Sequence, residues 1–429
     1  MHNSIWKNGR LVGSVVFAGL AALIFLNQVQ SSPKTAGSGH SVLYASAGAE
    51  LFQFDVDMDN ATLTQRGSVT LPQNVQEAWA HPSRKFLYVT WSNGVTGAVP
   101  ADPKSPHGVT AFRIDPATGT LRQHGEPIAL PERAVFMTSD IDGKHIIVAH
   151  NDPSAVTVHT IKPDGTLGAP VPQGPLDVGI YAHQVRVDPS NKAVILVTRG
   201  NGPTPTKKED PGAIKVFNYK NGLLTNRQSI APGGGYNFQV RHLDFHPSGR
   251  WDFVTLERQN KLFVFKRSSD GSLGESPLFM KDPMSEPSEG KRGQAVSSIH
   301  VHPNGRFVYV ANRGSRMAEF EGKRVFEGGE NSIAVFSINQ DTGEPVLIQD
   351  ADTHGVGPRT FSLDASGKML VVANQSAVPI RTEKGVGTLP ACLSVFRVGD
   401  DGKLTFVRKY DIETGGDRLL FWTGFVSLL

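Results

Sequence analysis

Two sets of residues stand at fixed distances from a turn phrase that recurs six times, and their types are those of a reactive or anion-binding site. The phrase begins at His81, Asp140, Asp188, His246, His302 and Asp364. Five residues before it stand Gln76, Val135, His183, Arg241, Ser297 and Arg359; eleven after it stand Ser92, Asn151, Arg199, Glu257, Arg313 and Gln375. All but Val135 are polar, and three consecutive copies supply His183, Arg199, Arg241, Glu257 and Arg313. Guanidinium groups bind carboxylates and phosphates through paired N–H donors and stabilise oxyanions. A Glu among them can activate water, and a His can move a proton near neutral pH. The plainer reading of the same residues is a set of ion pairs knitting the repeats together. The turn histidines His81, His246 and His302 belong to the phrase itself and read as structural.

The elements that must position these residues follow from the repeat. Each copy is a short strand, a turn and a second strand, as in VRVDPSNKAVILVT (185–198), LDFHPSGRWDFVT (243–255) and IHVHPNGRFVYVA (299–311). A third strand follows after a variable gap, for example AIKVFNY (213–219) or SIAVFSI (332–338), and then a Thr-Gly or similar turn and a weaker fourth strand. Period-two alternation marks the strands, and Pro-Ser-Gly and Thr-Gly mark the turns. Four antiparallel strands in about 50–60 residues make one propeller blade. Six copies are complete. Residues 42–71 hold three strands of a further blade without its innermost one, and 419–426 (LLFWTGFV) is a lone strand after the sixth copy. The chain is therefore expected to be all-β: a seven-bladed propeller over 42–429, closed by the C-terminal strand pairing with the N-terminal blade. Its 45 Gly and 28 Pro are the punctuation of that many short strands.

Strand direction places the start of each first strand and the end of each second strand at one end of the blade. The long insertions, 91–108, 199–213, 314–331 and 375–392, leave from that end, which makes it the candidate site face. Residues three and one before each turn, such as Val185 and Val187 or Leu243 and Phe245, should pack between blades. The polar residues then form a ring at the mouth of the central channel.

Composition removes other classes. Lys and Arg number 43 against 40 Asp and Glu, too balanced for a nucleic-acid footprint. A single cysteine, Cys392, excludes an internal disulfide framework and a multi-cysteine metal site. No metal-ligand motif is present, so neither a metal nor another cofactor is expected. Residues 1–30 carry Lys7 and Arg10 and then an uncharged run over 11–26, which reads as a signal peptide or an N-terminal membrane anchor, with 31–41 as a linker. Either form places the propeller outside the cytoplasm, periplasmic or secreted, with the membrane touched only through the N-terminal segment.

At this level the chain resembles the seven-bladed propeller lactonases, the 6-phosphogluconolactonase-like and carboxy-cis,cis-muconate cyclase-like proteins. The phrases HPSGRWDFV, HPNGRFVYVANRG and GPRTFSLDASGKMLVVANQ carry the resemblance, which covers about 42–429. That family's site of a His, two Arg and a Glu maps here onto His183, Arg241, Glu257 and Arg313. The N-R-G phrase is intact as Asn312-Arg313-Gly314. The P-H-x-H phrase keeps only its second His, in Ala182-His183-Gln184-Val185, and P-R-H keeps Arg241 and His242 after Val240. Arg199 stands where the family often has Asp. The resemblance implies a metal-independent lactone hydrolase, a monomer acting on a sugar-derived or acidic small-molecule lactone. In it Glu257 is the base toward water, Arg241 and Arg313 hold the lactone carbonyl or an acidic substituent, and His183 assists proton transfer to the ring oxygen. Arg199, Arg359, Gln375 and Asn151 would contact substrate. Two other readings use the same face: a non-enzymatic propeller binding a protein or envelope ligand, and a lactonising cyclase of the muconate type.

Overall fold

Short strands rich in β-branched and aromatic residues pair in fours, and each four is one blade. The computed structural model describes residues 40–93, 106–285, 293–415 and 418–429. The expected signal or anchor over 1–30, the linker up to residue 39 and most of the 91–108 insertion lie outside the described residues. Residues 39–429 form one unit of contacts.

The innermost strands are Asn74–Ala80, Ala134–Ser139, Ala182–Val187, Val240–Phe245, Gln294–Val301 and Pro358–Leu363 in blades 2 to 7. Blade 1 is composite. Its innermost strand is Leu420–Ser427, which pairs antiparallel with Ser41–Ala47 and is followed outward by Glu50–Asp57 and Thr62–Thr70. The ring closes as the sequence leads one to expect.

Second strands such as Ala193–Thr198 and Trp251–Leu256 are buried along their whole length because both faces meet a neighbouring blade. Their sequences, AVILVT and WDFVTL, are accordingly near-continuous apolar runs rather than alternating ones. The core is thus a set of layers between blades. Ala193, Ile195 and Val197 of blade 4 pack on Leu243, Phe245 and Val254 of blade 5. Leu43 and Ala45 of blade 1 pack on Val371 and Ala373 of blade 7.

The turn histidines staple neighbouring blades. The Nε2 groups of His81, His246 and His302 lie 2.9, 2.8 and 3.0 Å from the carbonyls of Gly143, Gly305 and Gly367 on the next blade. Gly367 has φ +72°, and a Cβ there would meet the His302 ring at 2.3 Å, so that turn needs glycine.

Two insertions expected as loops are instead sheet. Residues Arg316–Phe320 and Lys323–Gly328 form a hairpin from blade 6, and Val378–Thr382 and Gly385–Leu389 one from blade 7. They join in parallel at Phe326 and Ile380 into an extra four-stranded sheet, and Arg381 stacks 4.1 Å from the Phe320 ring. Each hairpin alone lacks a partner for its edge, and the two satisfy each other.

Candidate active site

A β-bulge on every innermost strand builds the channel mouth. Strict alternation would send the residue five before the turn into the space between blades, on the same side as the residues three and one before it. In each pairing one residue is skipped: Val75 and Glu77 pair with successive residues, as do Ala134 and Phe136, Ala182 and Gln184, Val240 and His242, Pro358 and Thr360, and Leu420 and Trp422. In blade 6 the skipped pair is Ser297 and Ser298. A bulge re-aims the extra side chain. Gln76, Val135, His183, Arg241, Arg359 and Phe421 consequently surround one void of about 10 Å³ in the channel.

Above this layer four of the expected residues meet. Glu257 Oε1 accepts from Arg313 Nη2 at 2.6 Å and from Arg241 Nε at 3.3 Å, and its Oε2 accepts from Arg199 Nη1 at 2.7 Å. Arg241 is 1% exposed, whereas the Arg199 side chain is 25% exposed. Arg241 Nη1 and Arg313 Nε are buried donors without a partner. Burial alone would push the Glu257 carboxyl up; the guanidiniums of Arg313, Arg199 and Arg241 outweigh it and hold it well below the usual carboxylate range. Burial, with the Arg313 charge beside it, pushes Arg241 down to about 9, still charged at neutral pH.

His183 joins the group through its bulge. Its ring lies edge-on to His242, 5.2 Å between centroids, and its Nδ1 is buried without a partner. Burial and the Arg241 charge hold His183 well below the usual histidine range, so the imidazole is neutral at pH 7. Arg359 stacks on Phe421 at 3.8 Å and forms no ion pair among the described residues. Burial and the nearby charges of Arg241, Arg313 and Arg133 disfavour its protonated form.

The remaining expected residues stand apart from Glu257. Gln375 is tied by its backbone to Gly357 and Leu420, with its Oε1 buried and unpartnered. Asn151 is buried at the end of its strand, its Oδ1 also unpartnered, and makes no hydrogen bond to the Glu257 group. Ser92 is spent on His107 at 2.7 Å and Ser297 on the Pro358 carbonyl at 2.6 Å. The ring expected from the repeat is therefore an arc over blades 4 to 7.

Sequence reasoning passed over Arg133 and Tyr181. Both lie seven residues before their turn, two beyond the offset of His183 and Arg241. Arg133, 7% exposed, donates from Nε and Nη2 to Gln76 Oε1 at 3.2 and 3.1 Å. Tyr181, in the left-handed region at φ +58°, lies under the Arg199 guanidinium at 4.1 Å. Three guanidiniums, Arg199, Arg241 and Arg313, thus grip one carboxylate, and the charge of Arg133 is felt in turn by Arg359. Among the described residues no group of three or more His, Cys, Asp or Glu side chains is placed to hold a metal ion.

A propeller whose channel mouth carries this arginine-rich carboxylate site belongs to a known class. The chain is a member of the family described as Lactonase, 7-bladed beta-propeller, whose pattern matches residues 37–384. It is thus a lactonase of the propeller type. It is 26% identical over 371 residues to a 6-phosphogluconolactonase of Bacillus subtilis, covering 83% of this chain and 95% of that protein. It is 27% identical over 360 residues to a 6-phosphogluconolactonase of Serratia proteamaculans, covering 83% and 91%. Among solved structures, the periplasmic gluconolactonase of Pseudomonas aeruginosa shares the fold with a TM-score of 0.65 at 18% identity, over 91% of this chain and 99% of that one.

Proposed function

We propose that this protein hydrolyses a lactone bearing an acidic substituent, outside the cytoplasm and with protein groups alone. The observation that carries the reading is the excess of guanidinium over carboxylate at the channel mouth. Arg133 is buried and Arg359 half-buried, the two repel one another, and neither forms an ion pair with an acid among the described residues. A buried unpaired charge is costly, and an anionic group on the substrate relieves the cost. The names of the relatives point to the same substrate class, lactones of sugar acids.

In this reading water attacks the lactone carbonyl and Glu257 takes its proton. The oxyanion that forms is met by the two unpartnered donors, Arg241 Nη1 and Arg313 Nε. As the C–O bond breaks, the proton taken by Glu257 reaches the ring oxygen through neutral His183, which accepts it at one nitrogen and donates from the other, leaving a hydroxy acid and the Glu257 carboxylate restored. A carboxylate held as low as Glu257 is a weak base in the empty site. An acidic substituent that draws Arg199, the most exposed of its three partners, away from Glu257 restores its basicity. Substrate charge and catalysis are then linked.

The test is a lactone panel on the purified protein, pairing acidic lactones with neutral ones of the same ring. Acidic lactones should be hydrolysed with the higher kcat/KM, and Arg359→Gln should raise KM for them while leaving neutral lactones nearly unchanged. Inactivity across the panel would sink the reading in favour of a binding propeller. Export is tested by fractionating expressing cells and measuring the mass of the mature chain.

A further inference from the structure

The layer of bulge residues divides the channel, and the larger space lies on the far side from Glu257. The void inside the layer, about 10 Å³, admits a water at most. Below it is a cavity of about 490 Å³ that reaches the inner turns at Pro303 and Ala365. That volume falls in the range of roughly 300–1,000 Å³ usual for small-molecule sites. Glu77, Phe136, His242 and Thr360 line both spaces and form the floor between them.

Its lining carries hydrogen-bonding capacity that the fold leaves unused. Glu77 accepts the Trp422 indole N–H on Oε1 at 2.6 Å and a backbone N–H from Ala78, and its carboxyl faces the cavity. Gln184 accepts from Leu243 N at 2.7 Å, leaving its amide N–H groups. Arg186 gives one nitrogen to Asp244 at 3.2 Å and lies 5.4 Å from the Trp79 ring and 5.3 Å from Phe245. Neither nitrogen of His242 is hydrogen-bonded among the described residues; its ring makes edge contacts with Phe136 and His183. Trp79, Phe136 and Phe361 supply aromatic surface.

The charge balance selects the ligand. Asp244 is neutralised by Arg186, and Asp364 is held by the N–H groups of Ser366 and Met369. Burial pushes the Glu77 carboxyl up to about 8, so it is largely uncharged at pH 7. The cavity therefore offers little net charge, unlike the arginine-rich mouth above it. Mixed donors and acceptors around aromatic faces suit a molecule with many hydroxyls and apolar C–H faces.

We propose that this lower cavity is a second binding site, separate from the Glu257 site, for a neutral sugar or polyol of one or two rings. The proposal does not rest on the lactonase reading, because its readout is binding by a non-lactone.

The experiment is calorimetric titration of the full chain with glucose and with maltose, repeated on Trp79→Leu and Glu77→Gln. At least one sugar should bind saturably. Trp79→Leu should weaken that binding about tenfold through the lost aromatic face. Glu77→Gln retains a carbonyl for the Trp422 N–H and should bind nearly as well as wild type, which also keeps the test informative if Trp79→Leu fails to fold. Hydrolytic activity should persist with the sugar bound. Absence of saturable binding of both sugars would overturn the proposal, as would displacement of the sugar by a hydroxy-acid product at the mouth. Loss of binding in Glu77→Gln, which marks a ligand chosen for charge, would overturn it equally.

Discussion

Replacing Glu257 by Gln separates chemistry from charge. The carboxylate takes three guanidinium contacts at 2.6, 2.7 and 3.3 Å, and two further donors on the same arginines have no partner. The amide keeps the shape but removes the charge and turns one acceptor into a donor facing a guanidinium. Removing one partner of a buried ion network costs about 3–5 kcal/mol. The partial exposure of Arg199 and its neighbours favours the lower end, so about 3 kcal/mol of stability should be lost. Loss of the general base should lower kcat by about 10²–10⁴. Anion binding should move the other way, because the arginines have lost their resident counter-ion. Inorganic phosphate should bind the variant more tightly than wild type and return about 2.7 kcal/mol at about one hundred times its Kd. Denaturant unfolding with and without phosphate, beside initial rates on an acidic lactone, reads all three. Rates close to wild type would refute the role of Glu257, and a variant whose stability ignores phosphate would refute the charge argument.

Further outcomes follow from other parts of the molecule. Burial pushes His150 down to about 4, so between its unfolded value of about 6.5 and pH 4 the unfolded chain holds a proton that the folded one lacks. Its contribution is intact above pH 6.5 and falls by about 3 kcal/mol as the pH reaches 4; Glu77, pushed up to about 8, acts oppositely as pH rises, so the check is a shallower acid loss in His150→Gln than in wild type. His302→Ala should cost about 1–3 kcal/mol by orphaning the Gly367 carbonyl, with kcat unchanged because that turn lies at the opposite end of the blades. Treatment with a chelator should leave the hydrolysis rate unaltered. Deleting 420–427 should prevent folding, read by loss of far-ultraviolet circular dichroism, because Ser41–Ala47 loses its inner partner.

The repeat makes much of this legible in the amino-acid sequence. Blade number, closure by LLFWTGFV and the meeting of Glu257 with Arg199, Arg241 and Arg313 follow from strand direction and offsets alone. The mechanism of that meeting does not. A bulge adds one residue to a strand without altering the turn phrase, so Arg241 and His183 look like ordinary strand residues until their pairing is known. Arg133 and Tyr181 precede their strands, where the repeat has no phrase to align. The paired hairpins were hidden for another reason: Phe326 and Ile380 meet through a non-local parallel contact, and neither segment announces its partner.

The bulges also separate what the protein must keep from what it can change. His183, Arg241 and Arg359, displaced into the channel, stand outside the apolar layers that hold the ring together, so replacing them leaves those layers intact. By contrast, Val185, Leu243 and Phe361, two residues on, are buried between blades. Mutational drift in substrate preference can therefore proceed at His183 and Arg359 without disturbing those layers, whereas Arg241 is held in place by its ion pair with Glu257. The same positions are where a designer would graft a new site onto this ring.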